Sequence, residues 1–135
     1  MVVIFTASAD SRSFQHSYNL VVPLLHWLFP HLPLAQVDAI HHFLRKCAHV
    51  TEYAILALLL RHTLHQGLAP TTAPWSRRRA AAVLVLVFLY AASDEFHQSF
   101  VPGRTALFTD VLIDTAGGFL GLLVGGWFYW VRKKS

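Results

Sequence analysis

The stretch that decides the fold is residues 106–130, ALFTDVLIDTAGGFLGLLVGGWFYW, which the basic residues Arg132, Lys133 and Lys134 follow almost at once. A helix of about 20 apolar residues is long enough to cross the hydrocarbon core of a bilayer. Aromatic residues such as those of 127–130, next to a basic cluster, are typical of the membrane–water interface. The sequence therefore predicts a transmembrane helix over residues 106–130.

The composition of the whole chain agrees with a membrane protein. Of its 135 residues, 55% are hydrophobic and only 13% are charged, which is too apolar for an ordinary soluble domain of this size. The formal net charge is +4, but the basic residues adjoin apolar runs, so nucleic-acid binding is not indicated. Cys47 is the single cysteine and cannot form an internal disulfide. We expect one domain, over residues 1–135.

Two further transmembrane helices are predicted, over residues 43–64 and 80–100. The fold class is therefore an all-α polytopic membrane helix bundle. If the three helices alternate in direction, Arg61, the basic run 77–79 and the basic C-terminal residues lie at one membrane face. The positive-inside rule makes that face cytoplasmic, so we expect a protein of the inner (plasma) membrane with a cytoplasmic C-terminus.

The N-terminal third of the chain is harder to interpret. Residues 1–8 resemble the last turns of a truncated first span, and we expect the true start to lie upstream of Met1. Residues 9–42 are then an extracytoplasmic loop, in which Asp38 is predicted to cap a short helix that leads into the first full span. The histidines of this loop match no established zinc spacing.

Ionisable residues collect at the ends of the three predicted spans, and this pattern indicates a site. With the orientation above, the start of 43–64, the end of 80–100 and the start of 106–130 share one outer layer. Ionisable groups at membrane depth are costly and are therefore functional candidates. The candidates are Lys46, His49, Glu52, Tyr53, Asp94, Glu95, His97, Gln98, Arg104, Asp110 and Asp114.

Helical spacing groups these candidates further. Asp94 is predicted to share a helix face with His97 and Gln98. Asp110 and Asp114 begin a stripe that continues through small residues, namely Gly117, Gly121 and Gly125. Small residues allow close helix approach in lipid, so the two aspartates should face neighbouring helices. A Pro-Gly turn at 102–103 is expected to hold Arg104 over the acidic helix ends.

Three motifs carry a resemblance to a known family. They are Arg45-Lys46-x-Ala48-His49-x-x-Glu52-Tyr53, Asp94-Glu95-x-His97-Gln98-x-Phe100-Val101-Pro102-Gly103-Arg104, and Asp110-x-x-x-Asp114-x-x-Gly117. Together they resemble the VanZ-like family of small bacterial membrane proteins. The resemblance implies a multi-span inner-membrane protein, usually with four spans. The family's namesake is linked to tolerance of glycopeptide antibiotics, teicoplanin in particular.

Several functions stay open for the predicted polar pocket. It is expected to bind an anionic lipid headgroup, a lipid-linked envelope precursor or a glycopeptide, with Lys46 and Arg104 holding the anionic group. Alternatively, it is an enzyme site for phosphoryl or acyl transfer. The proton-transfer candidates would then be His49, Glu52, Asp94 and Glu95.

A purely structural charge network and an oligomeric transporter are further alternatives. The remaining candidate residues would contact a ligand or a neighbouring helix. Carboxylates could hold a divalent cation, but no spacing singles out a metal. We therefore assign no metal site, and no cofactor is identified.

Overall fold

The computed structural model describes residues 11–67, 76–100 and 107–134. These residues form four helices: α1 over Ser11–Leu28, α2 over Leu34–Gly67, α3 over Arg77–Gln98 and α4 over Phe108–Lys134. The described ranges contain no strand. The prediction of an all-helical protein is confirmed.

Local sequence signals explain the ends of α3 and α4. The Ser76 hydroxyl accepts a hydrogen bond from the backbone N–H of Arg79 at 3.4 Å and caps α3. Helix α4 carries Asp110 in its first turn and three basic residues in its last. These charges match the positive N-terminal and negative C-terminal ends of a helix dipole.

Helices α2, α3 and α4 pack against one another, whereas α1 packs mainly against α2. Helices α2 and α4 run parallel. Lys46 contacts Asp110 near the start of both helices, and Ala54 contacts Gly121 farther along both. Helix α3 runs the opposite way, since its first turns lie beside the last turns of α4. The shared core consists of Tyr53, Leu56, Ala57, Val83, Val87, Ala91, Val111 and Leu122.

Glycines set the separation between α4 and its neighbours. A Cβ atom built on Gly117 would lie 2.6 Å from the carbonyl oxygen of Val50, and one on Gly121 would lie 2.5 Å from that of Ala54. A Cβ atom built on the adjacent Gly118 would lie 2.8 Å from Cγ1 of Val87, which belongs to α3. The predicted role of the glycine stripe in close helix packing is confirmed for Gly117 and Gly121.

Two of the described helices, α3 and α4, are long and apolar enough to cross a membrane. Three complete spans were expected, and the predicted span 43–64 lies inside α2, which does not qualify. The apolar residues of α2 are interrupted by charged ones: Arg45, Lys46, Glu52 and Arg61. On α3 and α4, large apolar side chains such as Leu89, Leu123 and Trp127 are exposed, as lipid-facing residues would be.

The segment predicted as a loop, 9–42, is largely helical. It contains all of α1, including Pro23, and α2 begins at Leu34, directly after Pro33. The prediction that Asp38 caps a separate short helix is wrong. Asp38 lies within the continuous α2 and accepts a hydrogen bond from the Tyr18 hydroxyl of α1 at 3.0 Å. The predicted span remnant at 1–8 lies outside the described residues.

A second polar contact holds α1 to α2. The Ser17 hydroxyl lies 3.2 Å from Nε2 of His41, which is only 1% exposed, and Arg45 Nη1 donates to the same hydroxyl at 3.3 Å. Burial, together with the neighbouring charges of Arg45 and His42, lowers the pKa of the His41 imidazole.

Candidate functional site

The acidic ends of α2, α3 and α4 meet at one end of the bundle. The parallel directions of α2 and α4 bring Lys46 and Asp110 together, and Lys46 Nζ lies 2.5 Å from Asp110 Oδ1. The Lys46 side chain is 51% exposed and that of Asp110 is 36% exposed. This ion pair therefore forms a solvent-accessible rim. Exposed ion pairs contribute only about 0–1 kcal/mol to stability.

Helix α3 contributes the next layer. Asp94 is 2% exposed, and its Oδ2 accepts a hydrogen bond from Gln98 Nε2 at 2.9 Å. The predicted common face of these two residues is confirmed. Glu95 Oε1 accepts a hydrogen bond from the backbone N–H of Leu107 at 2.6 Å, so Glu95 fastens the chain just before α4 to the end of α3.

Below this layer, the Tyr53 side chain lies within electrostatic range of carboxyl groups from three helices. Tyr53 is fully buried. Its electrostatic neighbours include Asp114 of α4, Asp94 of α3 and Glu52 of its own helix. Asp114 is 8% exposed, and Asp94 is the strongest of its charged neighbours. We call Glu52, Tyr53, Asp94 and Asp114 the acidic floor.

The other predicted site residues lie around the acidic floor or outside the described residues. His49 is half-buried one turn before Tyr53, and His97 is exposed on α3. Arg104 and the Pro-Gly turn at 102–103 lie outside the described residues. The structure thus brings together the acids of all three segments with Lys46 at the rim, and the contacts of Arg104 stay a prediction.

Two residues of this region escaped the prediction. The Tyr90 ring lies 6.2 Å, centroid to centroid, from that of Tyr53, and Arg45 acts electrostatically on Glu52. A sequence signal existed for Tyr90, because it precedes Asp94 by four residues and so shares its helix face. Arg45 stood in the first motif and shares a face of α2 with Glu52, seven residues on, whereas its contact with Ser17 of α1 depends on tertiary packing.

The side chains of this site limit the kinds of ligand that it can bind. Within the described ranges, no group of three or more histidine, cysteine, aspartate or glutamate side chains is placed to hold a metal ion. The site instead combines an exposed lysine at the rim with buried carboxyl and phenol groups beneath it. Such a combination can bind a polar group that carries both signs of charge.

The opposite end of the bundle differs in character. Arg79 Nη1 lies 3.1 Å from His65 Nδ1, which joins α3 to α2 there, and the last turn of α4 is basic. An open apolar groove of about 360 Å³ runs between α3 and α4, lined by Ala80, Leu84, Phe119, Leu122, Leu123, Gly126 and Trp127. The two ends of the bundle therefore differ in charge, with the buried carboxyl groups at one end and the basic residues at the other.

Comparison with known proteins gives one result for almost the whole chain. The family model VanZ/LLP1 matches residues 1–129. No curated protein and no solved structure matches the chain. The matched range contains every residue of the acidic floor and of its rim.

Proposed function

The chain belongs to the VanZ/LLP1 family, and from this premise we propose that it is a multi-pass protein of the bacterial inner membrane that binds a lipid headgroup. Its family and its two long apolar helices make it a membrane protein. Helix α2 is the third span of this proposal. Its polar residues Lys46 and Glu52 lie towards α4 and α3, and the glycine contacts of Gly117 and Gly121 hold it close to α4.

The proposed orientation follows from the charges at the two ends. The basic end contains the first turn of α3 and the last turn of α4, so the positive-inside rule places it in the cytoplasm. The acidic floor then opens to the outside.

We expect a reporter fused after Ser135 to be cytoplasmic. Paired fusions of alkaline phosphatase and green fluorescent protein at this position would measure it, because only the second should be active there. A fusion at the 68–75 connection should report the same side. Phosphatase activity at both positions would reverse the orientation.

The ligand proposed for the outer site is an anionic lipid headgroup or a lipid-linked envelope precursor. The observation that carries this proposal is the depth order of the site, with the exposed Lys46 at the rim and the buried Asp94 and Asp114 beneath it. Lys46, with Arg104 as a second cation, would hold a phosphate, since ammonium and guanidinium groups bind phosphate well. Binding of a lipid-linked precursor would connect this site to glycopeptide tolerance.

A structural role is the second candidate. The Lys46–Asp110 ion pair and the Glu95 contact with Leu107 both join separate segments, which is what a charge network that only holds helices together would do. Catalysis of phosphoryl or acyl transfer on the bound lipid is a third candidate function. The experiment below distinguishes the three candidate functions.

The experiment is lipid mass spectrometry on the purified protein after reconstitution with total envelope lipid. We expect phospholipid or lipid-linked precursor to remain bound to the wild type, and Lys46→Ala to retain about tenfold less, the usual loss for one charge-assisted hydrogen bond. Lys133→Ala is the matched control, because Lys133 is an exposed lysine at the opposite end.

The outcomes assign the three candidates. A lipid retained unchanged by the wild type and lost from Lys46→Ala supports the binding proposal. A lipid chemically altered by the wild type alone would make the protein an enzyme. Equal retention by the wild type and both variants would leave the charge network with a structural role.

A further inference from the structure

The open apolar groove between α3 and α4 reaches the basic end of the bundle. Its volume is about 360 Å³. On α3 it begins at Ala80, which directly follows the basic run 77–79. On α4 it ends at Trp127, and the last turn of that helix is basic. The groove therefore combines apolar walls with basic residues at one end.

The length of the groove matches one leaflet of a membrane. The α4 residues that line it run from Phe119 to Trp127, a rise of ~12 Å. The hydrocarbon core of a bilayer is ~30 Å thick, so one leaflet occupies about half of that thickness. A transmembrane helix of a partner would need a surface along the whole of α3 and α4. One acyl chain from the leaflet at the basic end needs only a groove of this length.

Helical spacing places two cations on the helix faces that form the groove. Arg77 precedes Ala80 by three residues and so shares its face of α3. Lys134 follows Trp127 by seven residues and shares its face of α4. Both basic side chains are exposed. The Lys134 ammonium lies 3.7 Å from the centre of the Trp130 ring, which brings it back towards the end of the groove.

The sign of the charge at this end is determined by the sequence. Residues 53–93 contain no aspartate or glutamate, and neither do residues 115–135. Asp10 is the one acidic residue outside the described helices, and it precedes α1, which packs mainly against α2. Basic residues at a membrane surface attract anionic lipids. An anionic headgroup therefore complements the charge at this end of the groove.

We propose that the groove binds an acyl chain of an anionic phospholipid, with Arg77 and Lys134 beside the phosphate of its headgroup. Guanidinium and ammonium groups bind phosphate through charge-assisted hydrogen bonds, and the apolar walls would bury part of the chain. This site lies at the opposite end of the bundle from the acidic floor. It requires that α3 and α4 cross the membrane, and it does not depend on a ligand at Lys46.

The test is photocrosslinking in a bilayer. Because the groove is open, its lipid would exchange with the membrane and has to be captured there, before any purification. The full chain is reconstituted in phosphatidylcholine vesicles that contain a trace of phosphatidylglycerol or phosphatidylcholine with a diazirine on one acyl chain. Mass spectrometry then locates the crosslinked residues. We expect the phosphatidylglycerol probe to label residues 80–84 and 119–127 at least about fivefold more, the usual effect of one basic residue near anionic lipid.

Two pairs of variants test the named cations. Arg77→Ala and Lys134→Ala are each expected to lower labelling by the phosphatidylglycerol probe about fivefold. Their controls are Arg78→Ala and Arg132→Ala, which remove the same charge from the same turns of α3 and α4. The helical repeat places these two side chains away from the groove, so labelling should stay at the wild-type level.

A third pair of variants tests the groove itself. Gly126 lines the groove, so Gly126→Phe would fill it and should abolish the preferential labelling of its walls. Val124→Phe adds a ring at an exposed position of the same helix that does not line the groove. It should leave the labelling unchanged.

Three results would overturn the inference. Equal labelling of the groove by both probes would exclude recognition of an anionic headgroup. Labelling spread evenly over the exposed apolar residues of α3 and α4 would indicate contact with bulk lipid only. Crosslinks from the groove to a second copy of the chain would assign the groove to an interface between copies. The outer site is tested separately, by lipid retention in Lys46→Ala, so the two proposals can fail independently.

Discussion

Replacing Gly121 with leucine is expected to separate α2 from α4 and to cause a large loss of stability. A Cβ at this position would lie 2.5 Å from the Ala54 carbonyl oxygen and 2.8 Å from the Ala54 Cα. Both atoms belong to the backbone of α2, so no side-chain rotation can relieve the clash and the helix itself must move. Overpacking in a close contact costs about 1–3 kcal/mol, and a leucine adds three more heavy atoms beyond the Cβ.

The measurement is the free energy of unfolding in mixed detergent micelles, obtained by titration with sodium dodecyl sulfate. Ala116→Leu is the matched control, because Ala116 is exposed on the same helix and should tolerate a larger side chain. We also expect Gly118→Ala to cost less than Gly121→Leu, since its added Cβ meets a Val87 side-chain atom. A Gly121→Leu protein as stable as the control would contradict the close packing of α2 on α4.

Changing Asp94 to asparagine is expected to reduce lipid retention by at least tenfold while the amount of protein in the membrane stays near normal. The substitution keeps the size of the side chain and an oxygen that can accept the hydrogen bond from Gln98 Nε2. It removes a negative charge that is 2% exposed and lies at the centre of the acidic floor. Hydrogen bonds to charged groups contribute about 1.5–3 kcal/mol, so we expect binding to weaken by at least tenfold.

Arg104→Ala should have the same phenotype if Arg104 holds the anionic part of the ligand, as we propose. Lipid retention and membrane abundance would be measured for both variants, with Asp38→Asn as the control for loss of an acid elsewhere. If Asp94→Asn and Arg104→Ala both disappear from the membrane, the charged residues hold the bundle together and the binding proposal fails.

The features of this protein that could be predicted from its sequence are those that depend on periodicity along one helix. The face shared by Asp94 and Gln98, and the contacts of Gly117 and Gly121, follow from the 3.6-residue repeat and from the small size of glycine. The gathering of the acidic segments at one end followed from alternating helix directions. Each of these features could be predicted from helix geometry and from the pattern of polar and apolar residues along the chain.

Other features depended on which helices meet, and the sequence predicted them poorly or not at all. Helix α1 was predicted as part of an extracytoplasmic loop that follows a truncated first span, yet its contacts with Asp38 and His41 hold it against α2. Helix α2 was expected to start near residue 43, but it is continuous from Leu34. Charged residues within α2 also interrupt its apolar run, and α2 is not among the helices apolar enough to cross a membrane.

The sequence by itself determined that this is an all-helical membrane protein of the VanZ/LLP1 family and that its polar residues lie near helix ends, because composition, periodicity and motif spacing are properties of the chain alone. Only the tertiary structure decided that Lys46 pairs with Asp110 among the available acids and that Tyr53 is buried among carboxyl groups with Tyr90 beside it. The physical reason is that these contacts depend on the rotation and depth of α2 against α3 and α4. The close approach of helix backbones at Gly117 and Gly121 fixes both.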